Sequence, residues 1–596
     1  MLNNHIKFRV ISILLLLVFS IGILSGCEKD IDIEDEPING VEKVQTSEEK
    51  FDILMDEIFT DWVSGDALSM NYYLADPESM GIERPESTFG ETATPEQILE
   101  SKKENQETRD RLKEVNYNEL RYDQQVVYDI LIRNLEISEV FERDDNFNYY
   151  TGYIRPLIGF QVQLPVLLAE FNFYTDDDIG RYLDLISDTQ RYFNETIDFE
   201  RERSERGYFL SNANVDSICE QIESFLEDRE ENLLITVFDY KIDEHPGLTD
   251  EQRIEYKERN KELVLNNVLV AYETLLNAMQ ELRGVGVNSG GLADLPSGAE
   301  YAHALLRLRT GSDRSASELD ALYATLMYET WQSIMDILFG SDDFYDRLLD
   351  GTLGHVRDGS PKEYISELQR LISQDFPSIG RTGLDVLEVH ESLQEHMSPA
   401  FYLMPAIDRF NENVVYINPA SLGDNLFLYT VLAHESYPGH MYQTVYFLQQ
   451  SPHPVRMTLS NSGYTEGWAV YAEMESYYFA IEDFDEASVM WGMRFYDMLL
   501  VSYVDIGVNL LGWSYEDVRD LLADYNITAA EAISSIYDRV TGIPLNSVMY
   551  TLGFIELMDL MEDTKQNQGE NFELMDFHRN FLNFGPAPFS IIRKHW

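Results

Sequence analysis

Residues 51–63 read FDILMDEIFTDWV, and the apolar side chains among them recur at helical spacing. The apolar positions are Phe51, Leu54, Ile58 and Trp62, with acidic residues between them. Similar patterns recur along the chain at residues 97–115, 122–140, 178–206, 213–236, 250–283, 316–340 and 361–374. Strand-like alternation is scarce, so the periodicity predicts a mainly α protein.

The N-terminus has the parts of a lipoprotein signal. A short basic segment with Lys7 and Arg9 precedes an apolar run at residues 10–24, and a small-residue cleavage site follows, ending in Cys27. Because the run is short and carries a processing site, we predict cleavage before Cys27 and lipid on that residue. The protein would then be exported and anchored to the outer face of the bacterial membrane. The alternative is an uncleaved N-terminal anchor.

The composition is strongly acidic, with 106 Asp and Glu residues against 44 Lys and Arg residues and a net charge of −62. Such a surface repels nucleic acid and anionic lipid, so we predict no nucleic-acid partner. The chain has one other cysteine, Cys219, so no intrachain disulfide can form once Cys27 carries lipid.

Residues 434–440 read HESYPGH. In the H-E-x-x-H motif of zinc peptidases, the two histidines are four residues apart and share one helix face with the glutamate beside them. Here they are six apart, which places His440 about 120° around a regular helix from His434. Pro438 disrupts the helix and Gly439 permits unusual backbone angles, so we predict a bulge that returns His440 to the side of His434. The alternative is a helix end and a turn with two ordinary histidines.

A candidate third ligand lies on the next helical stretch, residues 463–475 (GYTEGWAVYAEME). Glu466 follows His440 by 26 residues and has small or apolar neighbours, which suits the third ligand of a His₂Glu zinc site. Glu473 is nearly on the same face, where it would support the ligands or compete with them. The alternative for each acid is a solvated helix face.

A second histidine pair, at residues 390–396 (HESLQEH), tests this interpretation. It has the same spacing but no Pro-Gly break, so its two histidines are not expected to share a metal. We therefore predict one zinc ion per chain, held by His434, His440 and Glu466. Glu435 would act as general base on water activated by the metal.

With these motifs the chain resembles a bacterial family known as domain of unknown function 885, whose hallmarks are H-E-x-x-P-G-H and E-G-W-A-x-Y. The resemblance runs from about residue 50 to the C-terminus and includes SGAEYAHALLRLRTGS (297–312), SPAFYLMP (398–405), PLNSVMYTLG (544–553) and NFGPAPFSIIRK (583–594). It implies a helical, zinc-dependent peptidase with a thermolysin-like (gluzincin-type) metal site, often exported as a lipoprotein. The family's substrates are poorly defined, so the resemblance implies a reaction class and not a substrate.

A glycine-rich stretch at residues 284–298 (GVGVNSGGLADLPSG) is the clearest internal break, and we interpret it as a hinge or lobe boundary. Its GxG follows a helical pattern and not a strand, so a loop is favoured over a nucleotide site. We expect a large helical protein with a central active-site groove and a small strand element near the metal helix. The predicted organisation is a lipoprotein signal peptide, an acidic flexible tether, an N-terminal helical region and a catalytic helical region, at residues 1–26, 27–48, 49–290 and 291–596.

Further candidates are two residues and a strand with two interpretations each, and His578. Tyr550 would stabilise the tetrahedral oxyanion, or it is a core tyrosine. Arg593 would bind the C-terminal carboxylate of a substrate, or it pairs with surface acids. His578 is a further candidate near the substrate. The strand candidate at residues 413–419 (NVVYINP) would receive substrate as an edge strand, or it only supports the fold.

Together these residues predict hydrolysis of peptides or oligopeptides outside the cytoplasm, through metal-activated water and a glutamate base. A zinc amidase acting on cell-wall peptide would use the same residues. The other alternative is a lipoprotein that binds peptide without turnover. Retention of Glu435 argues against it, because binding needs ligands but no base.

Overall fold

The computed structural model describes residues 45–341, 343–391, 394 and 397–596. Cys27, its signal peptide and most of the predicted tether lie outside the described residues, as does His396 of the second histidine pair. Within the described ranges, each helix is too short or too polar to cross a bilayer.

The described part of the chain before the glycine-rich stretch is built of helices. They are α1 (Ser47–Val63), α2 (Ala67–Tyr73), α3 (Pro95–Lys113), α4 (Tyr122–Phe141), α5 (Phe160–Glu170), α6 (Asp176–Ser187), α7 (Thr189–Glu205), α8 (Asn212–Leu226), α9 (Leu233–Glu244), α10 (Asp250–Leu263) and α11 (Leu269–Leu282). A capping box between Thr46 and Glu49 starts α1 close to where the periodicity predicts.

The part after that stretch is also mainly helical. Its helices are α12 (Gly298–Thr310), α13 (Ala316–Gly340), α14 (Phe344–Leu349), α15 (Pro361–Leu371), α16 (Asn425–Glu435), α17 (His440–Gln449), α18 (Val455–Thr458), α19 (Ser462–Ala480), α20 (Phe484–Leu510), α21 (Tyr515–Asp524), α22 (Ala530–Gly542), α23 (Asn546–Gln568), α24 (Leu574–Phe584) and α25 (Phe589–His595). The prediction of a mainly α fold is therefore confirmed.

Two predicted helical stretches are each a pair of helices. Residues 178–206 contain the junction of α6 and α7 at Asp188, and residues 213–236 contain the break between α8 and α9. The second break has a local cause, because the Asn232 side chain accepts from the Leu234 N–H and so starts a new helix. Periodicity cannot detect such breaks when both helices bury a similar face.

A three-stranded sheet lies beside the histidine motif. Its strands are β1 (Gly383–Glu388), β2 (Ala400–Leu403) and β3 (Glu412–Ile417), in the order β1-β3-β2. β1 runs parallel and β2 antiparallel to β3. The predicted strand at residues 413–419 is thus confirmed, but its proposed role as an edge strand is wrong. β3 is paired on both sides, so β2 is the edge strand nearer the motif.

The motif itself lies inside the largest hydrophobic core, which includes buried side chains of α16, α17, α19, α20 and α23. A second core joins α5 to α11 with Phe401 of β2, and a third joins α1, α2 and α4 to Val455. Early helices of the chain therefore pack onto the region that carries the motif. The predicted boundary between residues 290 and 291 stays a prediction.

α19 and α23 approach each other closely at glycines. A Cβ atom on Gly467 would lie 2.3 Å from the backbone of Gly553, and one on Gly553 would lie 2.1 Å from the carbonyl oxygen of Gly463. Only glycine permits this backbone contact. It sets α23 directly against the part of α19 that contains Glu466.

Candidate metal centre

The histidine motif lies at a break between two helices. α16 ends at Glu435, α17 begins at His440, and the peptide bond before Pro438 is cis. The predicted bulge within one continuous helix is therefore wrong. Proline lacks the N–H that would continue the helix, and the chain makes a tight turn in which the Gly439 N–H donates to the Ala433 carbonyl at 2.9 Å.

Gly439 is required by the closeness of this turn. A Cβ atom at this position would lie 1.7 Å from the carbonyl oxygen of His434 and 2.5 Å from that of Ala433. Both obstacles are backbone atoms, so a larger residue would displace the turn. The turn brings the ring of His440 to 4.8 Å from that of His434, measured between centroids. The prediction that the two histidines meet is confirmed, by a different backbone path.

Trp468 supports the turn from α19. Its indole N–H donates to the Pro438 carbonyl at 2.7 Å, and its side chain is fully buried. Trp468 stands two residues after Glu466 on the same helix. This hydrogen bond therefore couples the turn to the helix that carries the third predicted ligand.

Three potential ligand atoms converge on one point. His434 Nε2 lies 3.7 Å, and His440 Nε2 3.6 Å, from the same Oε2 atom of Glu466. Ligands bound tetrahedrally at about 2.0–2.1 Å from a zinc ion lie about 3.4 Å from one another. The three side chains are 1–2% exposed, and both ring nitrogens of each histidine lack a hydrogen-bond partner within the described residues. These residues fit a small cation that three protein ligands bind.

The charge of the cluster points to a cation as well. Glu435, Glu466 and Glu473 are buried together, and Arg494 is paired with Glu473. When all three carboxylates are ionised and both histidines are neutral, Arg494 compensates one negative charge and two remain. Buried charges are strongly unfavourable without compensation. A divalent cation would supply the two missing positive charges.

The surroundings shift the pKa values of the two histidines in opposite directions. Burial lowers the pKa of His434, but the carboxylates of Glu466 and Glu473 outweigh burial and raise that pKa to about 10. Burial lowers the pKa of His440 well below its usual value, and the neighbouring His434 adds to the lowering. In the metal-free protein, His434 therefore holds the proton that a metal would replace.

Glu435 is oriented by the sheet. The Tyr402 N–H of β2 donates to Glu435 Oε2 at 2.9 Å, which leaves Oε1 as the oxygen that can take up a proton. Burial raises the pKa of Glu435 to about 8, with Glu466 adding to the rise and His434 opposing it. A carboxylate with a pKa near neutrality is suited to general base catalysis.

Glu473 is a neighbour of the ligands and does not belong to the group of three. Its Oε2 atom lies 3.4 Å from His434 Nδ1, and its Oε1 atom accepts from Arg494 Nε at 2.7 Å. Burial opposes ionisation of Glu473, but Arg494 and His434 outweigh burial and lower the pKa of Glu473 to about 2. The carboxylate is therefore ionised and lies beside Nδ1 of His434, where it would support the ring of a metal-bound histidine.

Tyr550 lies on α23 and is 5% exposed. It stands three residues before Gly553, which contacts Gly467 next to Glu466. Burial lowers the pKa of Arg539, and Tyr550 nearby acts in the opposite direction. The structure thus places Tyr550 on the helix packed against the ligand helix, and its role as oxyanion donor stays a prediction.

His578 and Arg593 are engaged in the fold. The ring nitrogens of His578 are bonded to the Asp375 carbonyl at 2.6 Å and the Tyr471 hydroxyl at 2.9 Å. Arg593 pairs with Asp563 at 2.7 Å and with a second acid on α23 at 3.3 Å. Of the two interpretations of Arg593, pairing with acids is the one found in the structure.

Tyr402, Trp468 and Arg494 belong to the centre and were not assigned by the sequence. Trp468 was visible as part of the E-G-W motif, but its apolar ring gave no sign of the hydrogen bond to Pro438. Tyr402 contributes a backbone N–H, which any residue carries. Arg494 lies 21 residues beyond Glu473 on α20, and nothing in its local sequence indicates the pairing.

The second histidine pair is only partly described, because His396 lies outside the described residues. In the described ranges, the candidate metal cluster of His, Cys, Asp and Glu side chains is His434, His440 and Glu466. His390 is not a member of this cluster, and the expectation that the second pair shares no metal stays a prediction.

Comparison with known proteins gives the family and the fold. The family model described as "Bacterial protein of unknown function (DUF885)" matches residues 77–595. A candidate lipoprotein from Colwellia psychrerythraea has a TM-score of 0.79 at 19% identity, with 92% of this chain and 98% of that chain covered. A candidate lipoprotein of unknown function from Shewanella oneidensis has a TM-score of 0.62 at 18% identity, with 92% and 99% covered. No curated protein matches the chain. Since the family model spans most of its length, the chain belongs to the bacterial family of unknown function DUF885.

Proposed function

We propose that the protein is a zinc-dependent peptidase that hydrolyses peptides or oligopeptides outside the cytoplasm. The observation that carries this proposal is the convergence of two buried histidines and a glutamate, with the oriented carboxylate of Glu435 beside them. A site that only binds metal needs the three ligands. An additional carboxylate with a pKa raised to about 8 is what hydrolysis needs.

His434, His440 and Glu466 would hold the metal. Two imidazoles and one carboxylate are a ligand set that suits zinc, with a fourth position open to water. When bound, zinc supplies a Lewis acid that polarises the substrate carbonyl and lowers the pKa of water to about 7. Its positive charge would also lower the pKa of Glu435 from its metal-free value.

The protein's own groups carry the proton transfers. Glu435 Oε1 would take a proton from the attacking water and return it to the amine that leaves, while the Tyr402 N–H holds Oε2 in place. Tyr550 is the proposed hydrogen-bond donor to the tetrahedral oxyanion.

β2 borders the centre at the edge of the sheet. Its four residues are buried, the Tyr402 N–H donates to Glu435, and the N–H of Met404, just past the strand, donates to the Tyr72 hydroxyl at 3.1 Å. A peptide that pairs with this edge would have to displace these bonds, and it would then lie next to Glu435.

The test combines metal content with turnover. Zinc per chain is measured by mass spectrometry for the wild type, His440→Ala and the control His390→Ala, and a peptide-library screen follows. We expect about one zinc in the wild type and in His390→Ala, and little in His440→Ala. Glu435→Gln should keep the zinc and lower kcat by about 10²–10⁴-fold. A zinc-loaded Glu435→Gln variant with wild-type turnover would refute the base assignment.

The same screen separates the alternatives. Zinc binding with peptide affinity but no hydrolysis of any library member would support a peptide-binding lipoprotein. Cleavage confined to amide bonds of cell-wall peptide would support the zinc amidase.

We also propose that the mature protein is exported and held on the membrane by lipid at Cys27. Support comes from the lipoprotein signal at residues 1–27. Labelling of cells with an alkyne-bearing fatty acid should mark the wild type and not Cys27→Ser, and the variant should leave the membrane fraction. Labelling that survives Cys27→Ser would refute this assignment.

A further inference from the structure

A guanidinium group without an acidic partner lies between α4 and α5. The Nε atom of Arg155 is fully buried, and its side chain makes no hydrogen bond or ion pair with any described residue. The chain has 106 acidic residues against 44 basic ones, so partners are plentiful. Arg155 as a whole is half-buried, and a partly buried cation without an acidic partner is unfavourable.

Arg155 lines a cavity of about 30 Å³. The glycine-rich stretch forms one wall with Gly290 and Gly291, and Gly152 and Pro544 form others. A Cβ atom on Gly291 would lie 2.3 Å from the backbone of Val508, so the wall needs glycine. The volume suits about two waters or one carboxylate group.

The neighbourhood of the cavity is positively charged. Arg203 also lines the cavity, and its Nη1 atom pairs with Glu200 at 2.6 Å. Arg309 donates to the Pro544 carbonyl at 2.5 Å and has no acid within 4.0 Å among the described residues. Burial lowers the pKa of Arg155 to about 10, and Arg309 and Arg203 add to the lowering.

The one acid among these neighbours that faces Arg155 is already used. Glu200 Oε2 pairs with Arg203, and Glu200 Oε1 accepts from the backbone N–H groups of Tyr153 and Ile154 at 3.0 and 3.2 Å. The charge of Arg155 therefore has no counter-charge to itself among the described residues, and an anion in the cavity would supply one.

α23 runs from near the cavity wall to the helix that carries Glu466. Pro544, in the cavity wall, stands two residues before this helix begins. Gly553 follows nine residues later and contacts Gly467, the neighbour of Glu466. From Asn546 to Gly553 the helix rises about 10 Å, at about 1.5 Å per residue. About three extended peptide residues span this length.

We propose that the Arg155 cavity binds a carboxylate, and that in the reaction proposed above it holds the C-terminal carboxylate of a peptide that extends to the metal centre. The second part rests on the proposed function. Arginine presents a planar fork that bonds both oxygens of a carboxylate. Arg593, assigned this role from the sequence, is occupied by Asp563 and Glu556, so Arg155 replaces it.

The test measures binding without turnover. Full-length, zinc-loaded Glu435→Gln protein in detergent is titrated calorimetrically with pentaalanine, with pentaalanine amide, and with an amidated peptide that ends in glutamate. We expect the free acid to bind about 10- to 100-fold more tightly than the amide, the usual effect of a hydrogen-bonded charge. Equal affinity of free acid and amide would overturn the proposal. If the amidated peptide that ends in glutamate bound as tightly as the free acid, the assignment of the cavity to a peptide C-terminus would be refuted, because the cavity would then bind an acidic side chain.

Variants at position 155 test whether Arg155 causes the preference for the free acid over the amide. Added to Glu435→Gln, Arg155→Met should abolish the difference between acid and amide, and Arg155→Lys should retain part of it. Arg201→Met, at an exposed arginine already paired with Asp198, is the matched control and should retain it fully. A preference that persists in Arg155→Met would overturn the proposal.

Thermal unfolding separates a binding role from a structural one. Because Arg155 has no partner to lose, Arg155→Met should unfold at the same or a higher temperature. A lower temperature together with an intact acid preference would assign Arg155 to the fold and overturn the proposal. These measurements do not depend on turnover. If the protein prefers the free acid but hydrolyses no peptide, only the proposed function is contradicted. If it hydrolyses peptides without preferring the free acid, only this inference is contradicted.

Discussion

Replacement of Gly439 by alanine should destroy the metal centre while the surrounding helices remain folded. The new Cβ atom would lie 1.7 Å from the His434 carbonyl oxygen. A Cβ atom essentially never comes closer than 3.0 Å to such an atom, so the turn must open by about 1.3 Å. His440 is the next residue in the chain, and it would move with the turn.

The size of this shift decides the effect on metal binding. Ligand distances tolerate about 0.2 Å, so a displacement of 1.3 Å is several times too large for His440 to remain a ligand. With two protein ligands left, we expect zinc affinity to fall by at least about 100-fold, since changes to mere supporting groups already cost about 10–100-fold.

The assay is a competition titration with a chromophoric zinc chelator, accompanied by far-UV circular dichroism. Gly180→Ala is the matched control, because Gly180 lies within α6 and nothing stands within 4 Å of its Cβ position. The control should bind zinc like the wild type and be more stable by about 1 kcal/mol, since alanine is favoured over glycine within helices. Wild-type zinc affinity in Gly439→Ala would refute the assigned geometry of the turn.

Three further predictions address the groups around the ligands. Glu473→Gln should lower zinc affinity about 10- to 100-fold, because the His434 ring loses the charged carboxylate beside it. Glu482→Gln, at an exposed position, is the control. Equal zinc affinities of the two variants would contradict this role of Glu473. Zinc affinity should rise about tenfold per pH unit between pH 6.5 and 9, because His434, with a pKa of about 10, must release one proton before it binds the metal. A zinc affinity that does not change with pH in this range would contradict that protonation state. Burial lowers the pKa of His578 from 6.5 to about 4, so the unfolded chain binds the extra proton and stability is lost as pH falls from 6.5 to 4, by about 3 kcal/mol. Urea unfolding of His578→Gln should lack this part of the pH dependence, and an unchanged slope would contradict it.

The chemistry of the centre could be predicted from the sequence because it depends on residue types at short spacings. A glutamate next to a histidine, a second histidine after Pro-Gly and a glutamate in E-G-W are all local patterns. His434, His440 and Glu466 do converge, although they lie on three separate helices, so the sequence identified the residues and the packing of the helices brings them together. The mainly α fold was predictable for the same reason, because periodicity is a property of neighbouring residues.

The path of the turn, the supporting bonds and the free arginine were decided by tertiary structure alone. Glycine at position 439 is needed because of where the carbonyl of His434 stands, and this position exists only after the helix has ended. Trp468 and Arg494 reach the centre from distant parts of the chain. Arg593 and Arg155 are the same residue type, and packing places acids beside the first and, among the described residues, none in an ion pair with the second. Charge pairing between distant segments depends on how helices pack, so it cannot be predicted from the local sequence.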